Sequence, residues 1–339
     1  MKSYNELLFL TEDQHRKIQE MVRRYQQDPG IRFFDPAHTS ERYISVAHGE
    51  IRCFHHRPPV SSSQKPVVFI SGWGTIPEGF SDFFNIVDKR IECYYIETRE
   101  KNSSRMDRRR AQFDMDQQAR DIQTAINEMG LAEKNNFILI GTCWGSTIIA
   151  HGLARGIISA PTVVLFDPMY SLWFPKWILN YIVPVTPVWL WQLLKPIAKR
   201  IAVFGMQEKH QRQRAESFID NATLWKWKRA AWQARRIDLY KSISRIDQEA
   251  IVINGVQDKI HDNAHYPRLA ALMPQGRFLY MKVDESQREY LIGVAAVAFA
   301  GAGSNVSSDL AAPAASAGSV KPEDTVPAFL REFEKEIRL

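Results

Sequence analysis

Six short apolar runs set the tightest limit on how this chain can fold. They occupy 67–70, 93–96, 137–140, 163–166, 251–253 and 278–281. Unbroken apolar runs of this length suit strands covered on both faces, and the stretches between them carry helical periodicity. In 118–129, for example, Ile122, Ala125, Ile126 and Met129 share one face, and Gly130 closes the helix. Upstream, 43–46 and 51–54 flank a turn at His48-Gly49-Glu50 and form a hairpin. A hairpin followed by six strands with intervening helices predicts an α/β fold: a mostly parallel eight-stranded sheet with helices on both faces.

Two segments break the rhythm. Residues 171–245 hold no clear strand, and 294–320 are rich in Ala, Gly and Ser, which reads as a low-complexity loop before a last helix at 326–337. The expected organisation is a helical extension at 1–40, a core at 41–170 and 246–339, and an insertion at 171–245. Within the extension, Thr11 and Gln14 form a capping-box pattern, and Ile18, Met21, Val22 and Tyr25 recur at helical spacing. The 339 residues are 45% hydrophobic and 24% charged, enough to bury a full core. Cys53, Cys93 and Cys143 include no CxxC pair, so neither a disulfide framework nor a zinc site is expected. The apolar run 7–10 is too short for a signal peptide, which makes a reducing, cytoplasmic setting the expectation. No Gly-rich phosphate loop, dinucleotide fingerprint or metal-ligand spacing occurs, and the expectation is a chain without cofactor or metal.

Gly141-Thr142-Cys143-Trp144-Gly145 directly follows one strand and directly precedes the helical run 147–154. A nucleophile at the apex of so sharp a turn needs small flanking residues, here Gly141 and Gly145. The helix that follows directs its first amides at the apex, which suits negative charge there.

This strand–turn–helix pattern resembles the α/β-hydrolase superfamily, with cysteine in place of the commoner serine. The resemblance covers roughly residues 40–340 outside the two interruptions. It implies that Cys143 is the nucleophile and that the backbone N–H groups of Trp73 and Trp144 form the oxyanion hole. Ile70-Ser71-Gly72-Trp73-Gly74 stands where that superfamily usually carries His-Gly. Glu97-Thr98-Arg99-Glu100 stands where it often carries Asp-x-Arg-Gly, and the glycine is absent. Asp258, in Gly255-Val256-Gln257-Asp258, is the implied triad acid, with Asp167 as the alternative.

The superfamily's base is a histidine after the last strand, and this chain has no histidine beyond His265. Gln287 or Ser319 falls near the usual place, and neither is a base at neutral pH. Three readings stay open. His261 or His265 serves instead; or Cys143 reacts without a strong base, by acyl transfer from an activated thioester; or catalysis is lost and the chain binds lipid or a partner. Dienelactone hydrolases and polyhydroxyalkanoate synthases share the cysteine elbow, but both keep the histidine.

The insertion carries seven of the nine tryptophans, among them Trp173, Trp177, Trp189 and Trp191. Its fourteen basic residues against four acidic ones give a net +10, so the formal +6 of the whole chain leaves −4 for the rest. Residues 177–194 are uncharged but are broken by Pro184 and Pro187, which fits two short apolar helices resting on lipid or on a greasy substrate tunnel better than a membrane span. The expectation is a helical cap that contacts a lipophilic acyl substrate, an anionic membrane surface or an acyl carrier. Trp225-Lys226-Trp227-Lys228-Arg229 alone would also suit single-stranded nucleic acid, but nothing else in the chain points that way.

Overall fold

The computed structural model describes residues 33–59, 64–87, 91–172, 175–204, 209–254, 265–280 and 288–301. It also describes Leu8–Phe9 and, singly, Arg16, Glu20 and Arg23, which are helical. The rest of the expected helix at 11–27, the final helix at 326–337, and Trp173, Asp258, His261, Gln287 and Ser319 lie outside the described residues.

Ten strands form one sheet: β1 (Leu8–Phe9), β2 (Thr39–Val46), β3 (Gly49–His56), β4 (Val67–Ile70), β5 (Cys93–Ile96), β6 (Arg105–Met106), β7 (Ile138–Thr142), β8 (Thr162–Phe166), β9 (Ala250–Asn254) and β10 (Gly276–Tyr280). Their order is β1-β10-β9-β8-β7-β4-β5-β3-β2, with β6 paired to β3. From β1 to β5 along this order every pair is parallel, and the β2–β3 hairpin adds antiparallel to β5. The eight longer strands are those expected from the sequence; β1 and β6 are two-residue additions.

β4, β5, β7, β8 and β9 are buried at every position, because helices cover both faces. One layer contains α1 (Ser81–Val87), whose Phe83, Phe84, Ile86 and Val87 pack on Phe69, Tyr95 and Ile140. The other contains α2 (Met115–Glu128) and α3 (Trp144–Ala154), which bury Ile122, Ile126, Ile148 and Leu153 against Val68, Leu139 and Val163. Asp114 caps α2 by accepting a 2.9 Å hydrogen bond from the Gln117 amide.

Between β8 and β9 the described residues form helices and turns. The main helices are α4 (Val188–Val203), α5 (Lys209–Asp220) and α6 (Leu224–Ala234). The uncharged run 177–194 breaks at Thr186 and Pro187, and no helix among the described residues is long and apolar enough to cross a membrane.

Helix α7 (His265–Leu272) follows β9, and α8 (Arg288–Gly301) follows β10. Helix α8 corrects one expectation: the stretch taken as a loop from 294 onward is helical as far as Gly301. Val294, Ala295, Ala296, Phe299 and Ala300 are fully buried beside α1. Small residues read as low complexity in sequence, yet here they let an all-round apolar helix lie close against its neighbours. Residues 302–320 lie outside the described residues.

Candidate active site

Chain order reverses at β4. Strand β5 adds to one side of it and β7 to the other, which makes the carboxyl end of β4 the switch point where open α/β sheets form their ligand crevice. Cys143 stands at the end of β7 and Ser71-Gly72-Trp73 at the end of β4. A Cβ built on Gly72 would lie 3.4 Å from the Cys143 Cβ, so the two loops touch.

Cys143 has φ 49° and ψ −113°, a backbone conformation that L-residues rarely adopt. Its surroundings hold it there. The Cys143 amide donates to Phe166 O at 2.8 Å, and its carbonyl accepts from the Thr147 amide at 3.1 Å. The flanking glycines are required by contact: a Cβ on Gly141 would lie 2.6 Å from Ser146 N, and one on Gly145 would collide with the Ile70 carbonyl oxygen. Cys143 is half-buried, whereas Cys53 and Cys93 are fully buried, and burial pushes both of their thiols far up.

Trp144 opens α3, so its N–H precedes the helical hydrogen-bond ladder. Among the described residues none accepts from the Trp144 or Trp73 amide. The Trp144 side chain is fully buried and donates from Nε1 to Gln118 Oε1 at 3.2 Å; the Trp73 ring meets it edge-on at 5.0 Å.

Beneath the Gly72 loop lies a buried polar run, Glu97-Thr98-Arg99-Glu100-Lys101, where the sequence showed only a missing glycine. Its charges are held by partners, although Glu100 Oε2 is buried without a hydrogen bond among the described residues. Glu97 accepts from Arg52 Nε at 2.6 Å, and Arg99 binds both carboxylate oxygens of Asp121 at 2.5 Å. Glu100 accepts from Thr98 Oγ1 at 2.7 Å and from the Gly74 amide at 3.4 Å. Lys101 Nζ donates to Ser71 Oγ at 3.0 Å and to Gly72 O. Burial lowers the Lys101 pKa, and Glu100, Glu97 and negative charge at Cys143 oppose that fall.

Asp167, the alternative acid, ends β8 with φ 45°. It holds a cation rather than an imidazole. Its Oδ2 accepts from Arg288 Nε at 2.9 Å and forms an ion pair with Nη2 at 2.7 Å, and its Oδ1 accepts from Asn254 Nδ2 at 2.7 Å. Burial works against the charge on Arg288, but Asp167, Glu289 and the Cys143 sulfur outweigh it and hold the guanidinium pKa above its ordinary value. Arg288 opens the helix that follows the last strand, close to where the hydrolase resemblance calls for its histidine. Sequence reasoning passed over it because the search was for a base; a cation opening the last core helix was the available signal. His265 is turned to Tyr240, whose hydroxyl lies 2.6 Å from Nδ1, and stacks on Tyr170 at 3.9 Å.

Of the expected contacts above the site, Trp177 and Trp189 are 58% and 64% exposed, and Trp191 donates from Nε1 to Thr186 Oγ1 at 2.8 Å. Among the described residues of the insertion, Trp227, on α6, reaches the Gly72–Gly74 loop: its ring lies 6.1 Å from Trp73 and covers Gly74. Three tryptophans from three elements thus run from the turn after β7 to the insertion.

No protein-family model matches the sequence, and no curated protein matches it. Solved structures do match in shape. A hydrolase from Pseudomonas aeruginosa PA01 superposes with a TM-score of 0.60 at 12% identity, covering 76% of this chain and 98% of that one. The esterase EaEST from Exiguobacterium antarcticum gives 0.61 at 16% identity, covering 75% and 97%. A bromoperoxidase from Bacillus anthracis gives 0.58 at 12% identity, covering 75% and 97%. Together with the strand order, the parallel pairing and the sharp turn after β7, these likenesses establish that the chain has the α/β-hydrolase fold.

Proposed function

We propose that this chain takes a lipophilic acyl group from an ester or thioester and passes it to water or another acceptor through an acyl-cysteine on Cys143. The observation that carries the reading is the strained apex at Cys143, packed against the Gly72 loop, with the Trp73 and Trp144 amides engaged by none of the described residues. In this reading the sulfur attacks the acyl carbonyl, a C–S bond forms, and the carbonyl oxygen becomes an oxyanion facing the Trp73 and Trp144 amides. Collapse breaks the bond to the leaving thiolate or alkoxide. Water or an acceptor hydroxyl, thiol or amine then takes the acyl group and frees Cys143. A thiol leaving group needs less help from a general acid than an alcohol does, so thioesters are the preferred donors where the alternative acid, Asp167, is taken up by Arg288. Asp258 remains the implied acid in this proposal, and the insertion is the cap that admits the acyl chain.

A second reading rests on the Asp167–Arg288 pair. A carboxylate committed to a fixed cation orients no base, which suits a non-catalytic member of the fold that binds lipid or a partner. One experiment separates the two. Incubation with a medium-chain acyl thioester, followed by intact-mass measurement, should show one added acyl group on the wild type and none on Cys143→Ala. Cys53 and Cys93 are buried and should stay unmodified under native conditions. A wild type that neither gains mass nor consumes the donor, or an adduct that survives in Cys143→Ala, overturns the acyl-cysteine.

A further inference from the structure

Helix α4 has no buried residue along its sixteen positions. Trp189, Leu193, Ile197 and Ile201, spaced by four, are 64%, 66%, 54% and 71% exposed, and Phe204 beyond them is 89% exposed. The stripe continues at Trp177, Tyr181 and Val185 just before the helix. The other side of α4 is tied down: Lys195 Nζ donates to Asp220 O at 2.8 Å, and Lys199 Nζ to Asp220 Oδ2 at 2.6 Å, which fixes α4 to the end of α5. The apolar side therefore faces outward in an anchored helix. So large an apolar surface on one face marks an interaction site.

Beside the first turn of α4 opens a pocket of about 330 Å³. Arg108, Lys228 and Arg229 line it with Trp225, Trp232 and Val188, and none of the described lining residues is acidic. Lys228 is held there by the carbonyls of Pro184 and Thr186, and Arg229 by those of Arg108 and Ala111. Cys143 is not part of this pocket.

We propose that the outward face of α4 and the adjoining cationic pocket dock this protein on an anionic lipid bilayer, with the stripe at acyl depth and the pocket receiving a lipid phosphate. The charge of the segment selects this occupant. A surface built on a +10 segment repels a second copy of itself and attracts an anionic leaflet. Tryptophan and tyrosine bordering lysine and arginine suit the headgroup boundary, and a helix too short and too broken to span lies in the interface plane instead. Docking stands independently of whether Cys143 reacts.

Co-sedimentation tests it with vesicles of phosphatidylcholine alone and of phosphatidylcholine mixed with phosphatidylglycerol. The full chain should bind the mixed vesicles, bind phosphatidylcholine vesicles far more weakly, and weaken as salt rises. The double variant Leu193→Glu, Ile197→Glu should lose about tenfold or more in partitioning. Arg108→Glu should lose several-fold on the mixed vesicles and change little on phosphatidylcholine, because it removes charge and leaves the stripe. Near-ultraviolet circular dichroism matching the wild type confirms that each variant is folded. Three results overturn the proposal: no binding to mixed vesicles, binding that the folded double variant retains, or self-association that the double variant abolishes without any vesicle binding. Acylation measured in vesicle-free solution with a water-soluble donor reports on Cys143 alone, so failure of one proposal is distinguishable from failure of the other.

Discussion

Lys226 shows how a single charge can fasten the insertion to the sheet. Its Nζ reaches the carbonyls of Lys101 at 2.8 Å and Ser104 at 2.5 Å, and Ser104 Oγ at 2.8 Å, directly behind the run that supports the Gly72 loop. Burial pulls its pKa from the ordinary 10.5 down to about 8, against support from Glu100 and Glu97. The folded chain thus releases this proton earlier than the unfolded chain does. Below pH 8 both states are charged and the folded state bears the full cost of the buried ammonium. Between pH 8 and 10.5 the unfolded state binds more protons, so this group makes unfolding harder as pH rises. Urea unfolding of the wild type and Lys226→Met at several pH values across that window should show the difference in stability shifting toward the wild type with rising pH. A difference independent of pH would mean that Lys226 titrates normally.

At the scale of elements, the turn from β7 to α3 is fixed by what its glycines touch. A Cβ on Gly145 meets the carbonyl of Ile70, a backbone wall in the central strand β4 that has no rotamer in which to retreat. Gly145→Ala should therefore cost about 3 kcal/mol in denaturant-derived stability, at the upper end for overpacking. This turn was legible in the sequence because a strand run, two glycines and a helical run stand in fixed local order. The strands were legible for the same reason: burial on both faces leaves a purely apolar signature. Helix α8 was not, because Ala and Gly serve a tightly packed helix and a loose loop equally well, and only the neighbouring Phe83 and Ile86 decide between them. The Asp167–Arg288 pair joins residues 121 positions apart, a separation over which no local pattern speaks.

Across the whole molecule, the insertion and the crevice share one seat. Gly74 adopts φ 58°, and a Cβ there would lie 2.8 Å from Trp227 Cε2 and closer still to Cζ2 of the same indole. Trp227 packs in turn on Phe218 of α5 at 4.7 Å, so the ring cannot yield without moving two helices. Gly74→Ala should then act twice. It places an L-residue in left-handed backbone, costing about 1 kcal/mol, and it lifts the indole from the loop that carries Trp73. Only the second effect depends on Trp227. In a double-mutant cycle, Gly74→Ala should destabilise the wild type by at least about 1 kcal/mol more than it destabilises Trp227→Ala, as contacting residues do when they share a packing constraint. The same displacement should open the crevice, so Cys143 in Gly74→Ala should react faster with a bulky maleimide while Cys53 and Cys93 stay protected. Additive stabilities with an unchanged Cys143 rate would show that the insertion rests beside the crevice without governing access to it. Coupled stabilities with a faster rate would place the control of entry to Cys143 in the contact between Gly74 and Trp227.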